Sequence, residues 1–216
     1  MNVVFHSDMS APDPRWQTRH TPTPDLPAAD FAARYTDKGR LQLGLAERDG
    51  KIHTTHLATL DRPFTYGRFE ARMRFPSGQG AHSAFWLQDV TPDHIGGAEV
   101  DIIEHFGSDR RLWHNVYWRT PTTMWPEDPA EWRASTTAYD PRTWHTYGLD
   151  WHPDRYEYTI DGKVSAVSTD GLSAMPKVLI LSLLSSTWEW PRRVADLSAY
   201  RTMVDWVRVT DLGDGT

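Results

Sequence analysis

Apolar and polar positions alternate with a period of two along most of this chain. In the clearest run, Tyr66, Arg68, Glu70, Arg72 and Arg74 fall on one face and Gly67, Phe69, Ala71, Met73 and Phe75 on the other. That is the pattern of a half-buried β-strand. Weaker or shorter versions cover residues 1–8, Asp37 to Leu45 after a turn at Gly39, residues 51–60, Ala81 to Leu87, Leu112 to Arg119, Trp144 to Trp151, Tyr156 to Ile160, Lys163 to Val167 and Met203 to Val209. Asp161-Gly162 between two such runs predicts a tight hairpin. Val178 to Leu184 is almost continuously apolar, as expected of a strand covered on both faces. The Pro-, Asp- and Thr-rich stretch to about residue 30 predicts an ordered loop crossing one end of the fold. Residues 120–143 hold four Pro, Trp125 and Trp132 with no sustained period, which predicts a long functional loop walling a cleft. Neither a long helix nor an internal repeat is predicted.

Composition narrows the function more than the fold. A chain of 216 residues with 39% hydrophobic and 24% charged positions is expected to be one folded domain, residues 1–216. The formal charge of −6 argues against nucleic acid or an anionic membrane as partner. No run approaches the length of a membrane-spanning helix, and Met1 to Asp8 has neither the basic region nor the apolar run of a signal peptide. There is no cysteine, so no disulfide and no thiol chemistry. Eleven Trp exceed what a core of this size requires, and flat apolar rings suit the faces of sugars. His53 and His56 have opposite strand parity and read as ordinary surface histidines rather than a metal pair.

The chemistry concentrates in Glu99-Val100-Asp101-Ile102-Ile103-Glu104. In a regular strand Glu99 and Asp101 share a face and Glu104 points the other way. A bulge at Ile102-Ile103 would return Glu104 to its acidic neighbours, and bulges are frequent beside active sites. Retaining glycoside hydrolysis needs two carboxyl groups roughly 5–5.5 Å apart, one ionised and one protonated. The alternatives are a solvated strand face and a divalent-cation site.

This segment resembles the signature of glycoside hydrolase family 16, the laminarinases, lichenases, agarases and carrageenases, in its bulged form, and the resemblance extends over most of the chain. It implies an all-β jelly-roll sandwich of two curved antiparallel sheets with a concave substrate cleft. It further implies Glu99 as nucleophile, Glu104 as acid/base, held protonated by burial and neighbouring charge, and Asp101 as assisting acid. The run at 66–75 is similar to a strand whose Glu and Arg line the cleft, making Glu70 and Arg72 expected sugar contacts. Trp86 matches a stacking aromatic, and Asn115 and Tyr117 match cleft residues of the lichenase-type strand after the acids. His114, on the other face of that strand, reads as a packing or surface residue. Ser182 stands where the family often carries a sugar-binding Asn, and Trp188 and Trp190 follow in a loop at the cleft end. The family's structural calcium implies the Gly39 carbonyl and Asp205 as ligands, with no cofactor for catalysis. The implied protein is an extracellular monomer cutting β-1,3- or mixed-linkage β-glucan. A galactan hydrolase, a transglycosylase and a glycan-binding module on the same sandwich are the alternatives.

Overall fold

The computed structural model describes residues 1–19, 33–48, 51–90, 98–118, 130–136, 139–185 and 197–213, the side chains of 48, 51, 130–136 and 198 excepted. In chain order the strands are β1 (Asn2–Ser7), β2 (Gln17–Thr18), β3 (Arg34–Tyr35), β4 (Leu41–Gly44), β5 (Ala46–Arg48), β6 (Lys51–His53), β7 (Thr55–Ala58), β8 (Gly67–Arg74) and β9 (His82–Asp89). They continue as β10 (Ala98–Phe106), β11 (Leu112–Trp118), β12 (Ala130–Thr136), β13 (His145–Trp151), β14 (Tyr156–Ile160), β15 (Lys163–Ser168), β16 (Lys177–Leu184) and β17 (Arg201–Asp211).

Among the described residues, two large antiparallel sheets form. One has the order β15-β14-β13-β8-β17-β4-β3, with β1 also paired to β17; the other is β12-β11-β10-β9-β16-β7-β2. β5 and β6 make a separate ribbon. The strands expected from the alternation form the all-β sandwich that the resemblance implied. At the β14–β15 hairpin, Asp161 and Gly162 both take positive φ, 51° and 73°, the backbone that an Asp-Gly turn supplies at low cost. β12 is a departure, because it lies inside the stretch expected to be loop. Its sequence has no clean alternation, but it pairs residue for residue along β11 from Leu112–Thr136 to Trp118–Ala130, and that partner's ladder outweighs weak local preference.

The core lies between the two sheets. Phe69, Ala71 and Met73 of β8, Tyr147, Leu149 and Trp151 of β13, and Val204, Val207 and Val209 of β17 face Phe85 and Leu87 of β9, Val100 of β10, Val116 of β11 and Leu179, Leu181 and Leu183 of β16 in one buried cluster. The alternate positions of the seven-stranded sheet therefore face away from the core. There Ala58, Ala84, Trp86, Val178 and Ile180 form a second, smaller apolar patch. This outward face is where the acids of β10 arrive.

Candidate active site

Register fixes the direction of each acid. Asp101 lies opposite Trp86 and Glu104 opposite Ala84, and Trp86 and Ala84, two residues apart on β9, share a face. The pairing slips between Asp101 and Ile103 against β9, and between Asp101 and Glu104 against β11. One residue is therefore extra, at the position where the parity conflict predicted it. Ile102 and Ile103 both pack into the same core cluster between the sheets, whereas consecutive residues of a regular strand point to opposite faces.

Magnitudes explain why the strand kinks. In unbroken register Glu104 would enter the apolar core, at a cost of several kcal/mol for an uncompensated charge. Ile103 would face outward and forfeit about 1.5–3 kcal/mol of burial. Against this, a bulge loses about one ladder hydrogen bond, worth roughly 0.5–1.5 kcal/mol. Part of that loss is recovered from the core side. His114 Nδ1 donates to the Ile102 carbonyl at 2.6 Å, its Nε2 accepts from Ser165 Oγ at 2.8 Å, and its ring stacks on Tyr158 at 4.7 Å and 28°. Burial, only partly opposed by the Ile102 bond, pushes the His114 imidazole down to about 4, so it stays neutral with one nitrogen donating and the other accepting.

Both oxygens of Glu104 are held. His82 Nε2 lies 2.7 Å from Oε1, and Asn115 Nδ2 donates to Oε2. Glu99 faces Tyr117 across the β10–β11 ladder and accepts from Gln88 Nε2 at 2.8 Å. Gln88 accepts in turn from Arg19, whose guanidinium sits 5.4 Å from the Trp86 ring centre. Burial first, and the Glu104 charge second, raise the Glu99 carboxyl to about 7, against the pull of Arg19, the Gln88 hydrogen bond and His82. An upward shift thus falls on Glu99. The Glu104 charge acts on Glu99 across one site, so Glu99 does not titrate independently of its neighbour.

Other expected positions divide into three groups. Asp101, Glu104, Asn115, Tyr117 and Trp86 all lie on the face that carries Glu99. Ser182 does as well, but it is fully buried and its Oγ accepts from Trp86 Nε1 at 3.1 Å; it orients the indole and does not reach outward. Glu70 and Arg72 are corrected. They lie on β8 in the other sheet, on the side facing away from the core and hence from β10, where Glu70 binds Arg208 at 2.7 Å and Arg72 binds Asp205 at 2.6 Å. Alternation located their strand face but not their sheet. Trp188 and Trp190 lie outside the described residues, as does Trp125; the side chain of Trp132 does too.

The two residues expected to ligate calcium are engaged otherwise. Asp205 gives one oxygen to Arg40 at 2.8 Å and the other to Arg72 at 2.6 Å. Burial would raise this carboxyl, but the two guanidinium hydrogen bonds outweigh it and hold Asp205 below its ordinary value. A carboxylate already gripped by two fixed cations does not suit a third. Gly39 sits in a turn at φ 64°, its N–H on the Thr36 carbonyl. Among the described residues no group of three or more His, Cys, Asp or Glu is placed to hold a metal.

Four site residues were not anticipated. His82 and Gln88 share the parity of Trp86 on β9, so extending the period in both directions would have found them. Arg19 comes from the Pro-rich N-terminal stretch, 69 residues before Gln88, and carries no local signal. His56, read as a surface residue, is buried with its ring 5.5 Å from Trp86; burial, then the Arg19 charge, push it down to about 3.

Comparison with known proteins identifies the family and the fold. The family model described as Glycosyl hydrolases family 16 matches residues 27–208. The endo-1,3-1,4-beta-glycanase EglC of Rhizobium meliloti is 25% identical over 92% of this chain and 43% of its own length, and the beta-glucanase of Bacillus subtilis 25% over 68% and 59%. Alignments to the first curated relatives span 23–59% of their length. In fold, the chain matches the laminarinase of Rhodothermus marinus with a TM-score of 0.80 at 22% identity, covering 97% of each chain. It matches the Bacillus licheniformis beta-glucanase at 0.79 and 20%, over 98% and 99%. With the family model spanning both sheets and the bulged acidic strand between its limits, the chain belongs to glycosyl hydrolases family 16.

Proposed function

We propose that this chain is a retaining, endo-acting glycoside hydrolase that cleaves a β-linked glucan, with β-1,3 or mixed β-1,3-1,4 linkages. The observation that carries this reading is the bulge, which sets Glu99 and Glu104 on one face with Asp101 between them. Relatives named as β-glucanases and an endo-1,3-1,4-β-glycanase support the substrate class.

Glu99, as carboxylate, attacks the anomeric carbon while Glu104 gives its proton to the departing glycosidic oxygen. The C1–O bond breaks with its electron pair leaving on the sugar, and a bond from C1 to Glu99 forms. Glu104, now ionised, takes a proton from water as that water attacks C1 and releases Glu99. Arg19 and Gln88 favour the ionised form of Glu99, and Trp86, held by Ser182, offers a flat apolar surface for a sugar ring.

Incubation with laminarin, mixed-linkage glucan, xyloglucan, agarose and carrageenan, with products sized and linkage-typed, tests the substrate. Oligomers from the first two are expected; cleavage of a galactan alone would overturn the glucan assignment. Proton NMR of the first product should show the β-anomer, and an initial α-anomer would rule out retention.

A further inference from the structure

His82 enters neither the sequence expectation nor the reaction above, yet it touches the proposed acid. It sits opposite Phe106 on the neighbouring strand and stacks on that ring at 4.3 Å and 19°, which fixes the imidazole plane. Its Nε2 is directed at Glu104 Oε1 at 2.7 Å, and both side chains are nearly fully buried. Asn115 holds the other oxygen from β11. Glu104 therefore does not choose freely which oxygen bears its proton. If Nε2 accepts, the proton lies on Oε1 and is spent on the imidazole. If Nε2 donates, the proton is left on Oε2.

Resting on the hydrolase reading, we propose that His82 is a positioning residue for proton transfer. Its Nε2–H, given to Oε1, confines the transferable proton of Glu104 to Oε2 and steadies the charge left on the carboxylate once that proton has gone to the leaving oxygen. His82 itself loses and gains no proton through the cycle. The O–H bond of Glu104 breaks in the first half-reaction and is remade from water in the second. Among the described residues, Glu99 and Asp101 stand on the same strand as Glu104, and Arg19 bears on Glu99 together with Glu104 and His82.

Two variants and one spectrum test this. His82→Phe keeps a ring to stack on Phe106 but has no donor; His82→Gln keeps an N–H donor that does not titrate. On a β-glucan, whose leaving oxygen needs a proton, His82→Phe should lose about 10- to 100-fold in kcat, with KM little changed, and His82→Gln should recover most of it. On a dinitrophenyl β-glycoside, whose leaving group departs without a proton, the Phe variant should form the glycosyl-enzyme at the wild-type rate. The basic limb of kcat/KM should move to higher pH in His82→Phe, because the ionised acid has lost a donor. A folded Phe variant with wild-type kcat and an unmoved limb would overturn the inference while leaving the hydrolase reading intact. Wild-type protein that cleaves no β-glycan would overturn that reading and the inference with it. Should the Phe variant not fold, ¹⁵N NMR of the wild-type imidazoles decides, with His82 assigned by its loss in His82→Gln. A proton on Nε2 is expected, and one on Nδ1 alone refutes the proposal.

Discussion

On the outer side of the eight-stranded sheet, each acid of the central strands meets a guanidinium. Asp150 binds Arg68, Glu70 binds Arg208, and Asp205 binds both Arg40 and Arg72. On the outward face of the seven-stranded sheet, Glu104 is held by His82 and Asn115, and Glu99 by Gln88 with Arg19 one residue further away. Strands of both sheets alternate charge with apolar residues in the same period. What separates them is the company each carboxylate keeps. Paired with arginine at a wet surface, an acid is held ionised and contributes little; buried against another acid, it is pushed toward the pH at which proton transfer is useful.

The largest break in this contrast should come from Glu99→Gln and Glu104→Gln. Each is expected to lower kcat on β-glucan by a factor on the order of 10² to 10⁴ or more, with circular dichroism and glycan binding retained. Unchanged turnover in either variant removes that residue from the mechanism. On the outer sheet, Glu70→Gln and Arg72→Gln should leave kcat and KM within about twofold, and steady-state assays on the same glucan make the comparison direct.

Next in size is the bulge. His114→Phe preserves a ring beside Tyr158 but leaves the Ile102 carbonyl without its donor, at roughly 1–3 kcal/mol. Misplacement of a reacting group costs up to about 10²-fold, so kcat should fall further than stability alone predicts. His114→Asn places a donor near the former Nδ1 and should restore activity more than thermal stability. Equal recovery of both would argue that His114 only packs.

A smaller effect is readable in stability against pH. The Glu99 carboxyl lies at about 7 in the folded chain against an ordinary 4.5. Between those values the folded state binds more protons than the unfolded, so its stability falls as pH rises through that window. Glu99→Gln should therefore be more stable than wild type at pH 8, by on the order of 1–3 kcal/mol, and no more stable at pH 4. Urea titrations at the two pH values measure it.

The smallest effect belongs to Asp205. Its lowered carboxyl lends stability above its ordinary value of 3.8 that is lost as pH falls, yet the pairs are partly exposed and Asp205→Asn should cost about 1 kcal/mol or less. Excess calcium or a chelator should leave Tm unchanged in both proteins. A calcium-dependent rise in wild-type Tm that Asp205→Asn abolishes would show that the arginines yield to a cation.

How much of this could be read from the chain follows from how far each contact reaches. The strands were legible because alternation is local, their stacking into a sandwich came from the family resemblance, and the kink was legible because one glutamate had the wrong parity. Asn115 and Tyr117 were expected from the family resemblance, and their shared parity sets both on one face of β11. Glu70 and Arg72 were misplaced since a period of two says which face, never which sheet. Ser182 lay on the right face, but its neighbour was Trp86, 96 residues earlier, and a hydroxyl can serve an indole as readily as a sugar. Arg19 was invisible for the same reason of distance.

Because Ile102 is fastened by His114, and His114 by Ser165 of β15, the spacing between the two glutamates answers to side chains on the other side of the strand from the acids. A search for variants with altered pH range or leaving-group tolerance should therefore look behind the catalytic wall, at Tyr158 and Ser165, as well as at the groove itself.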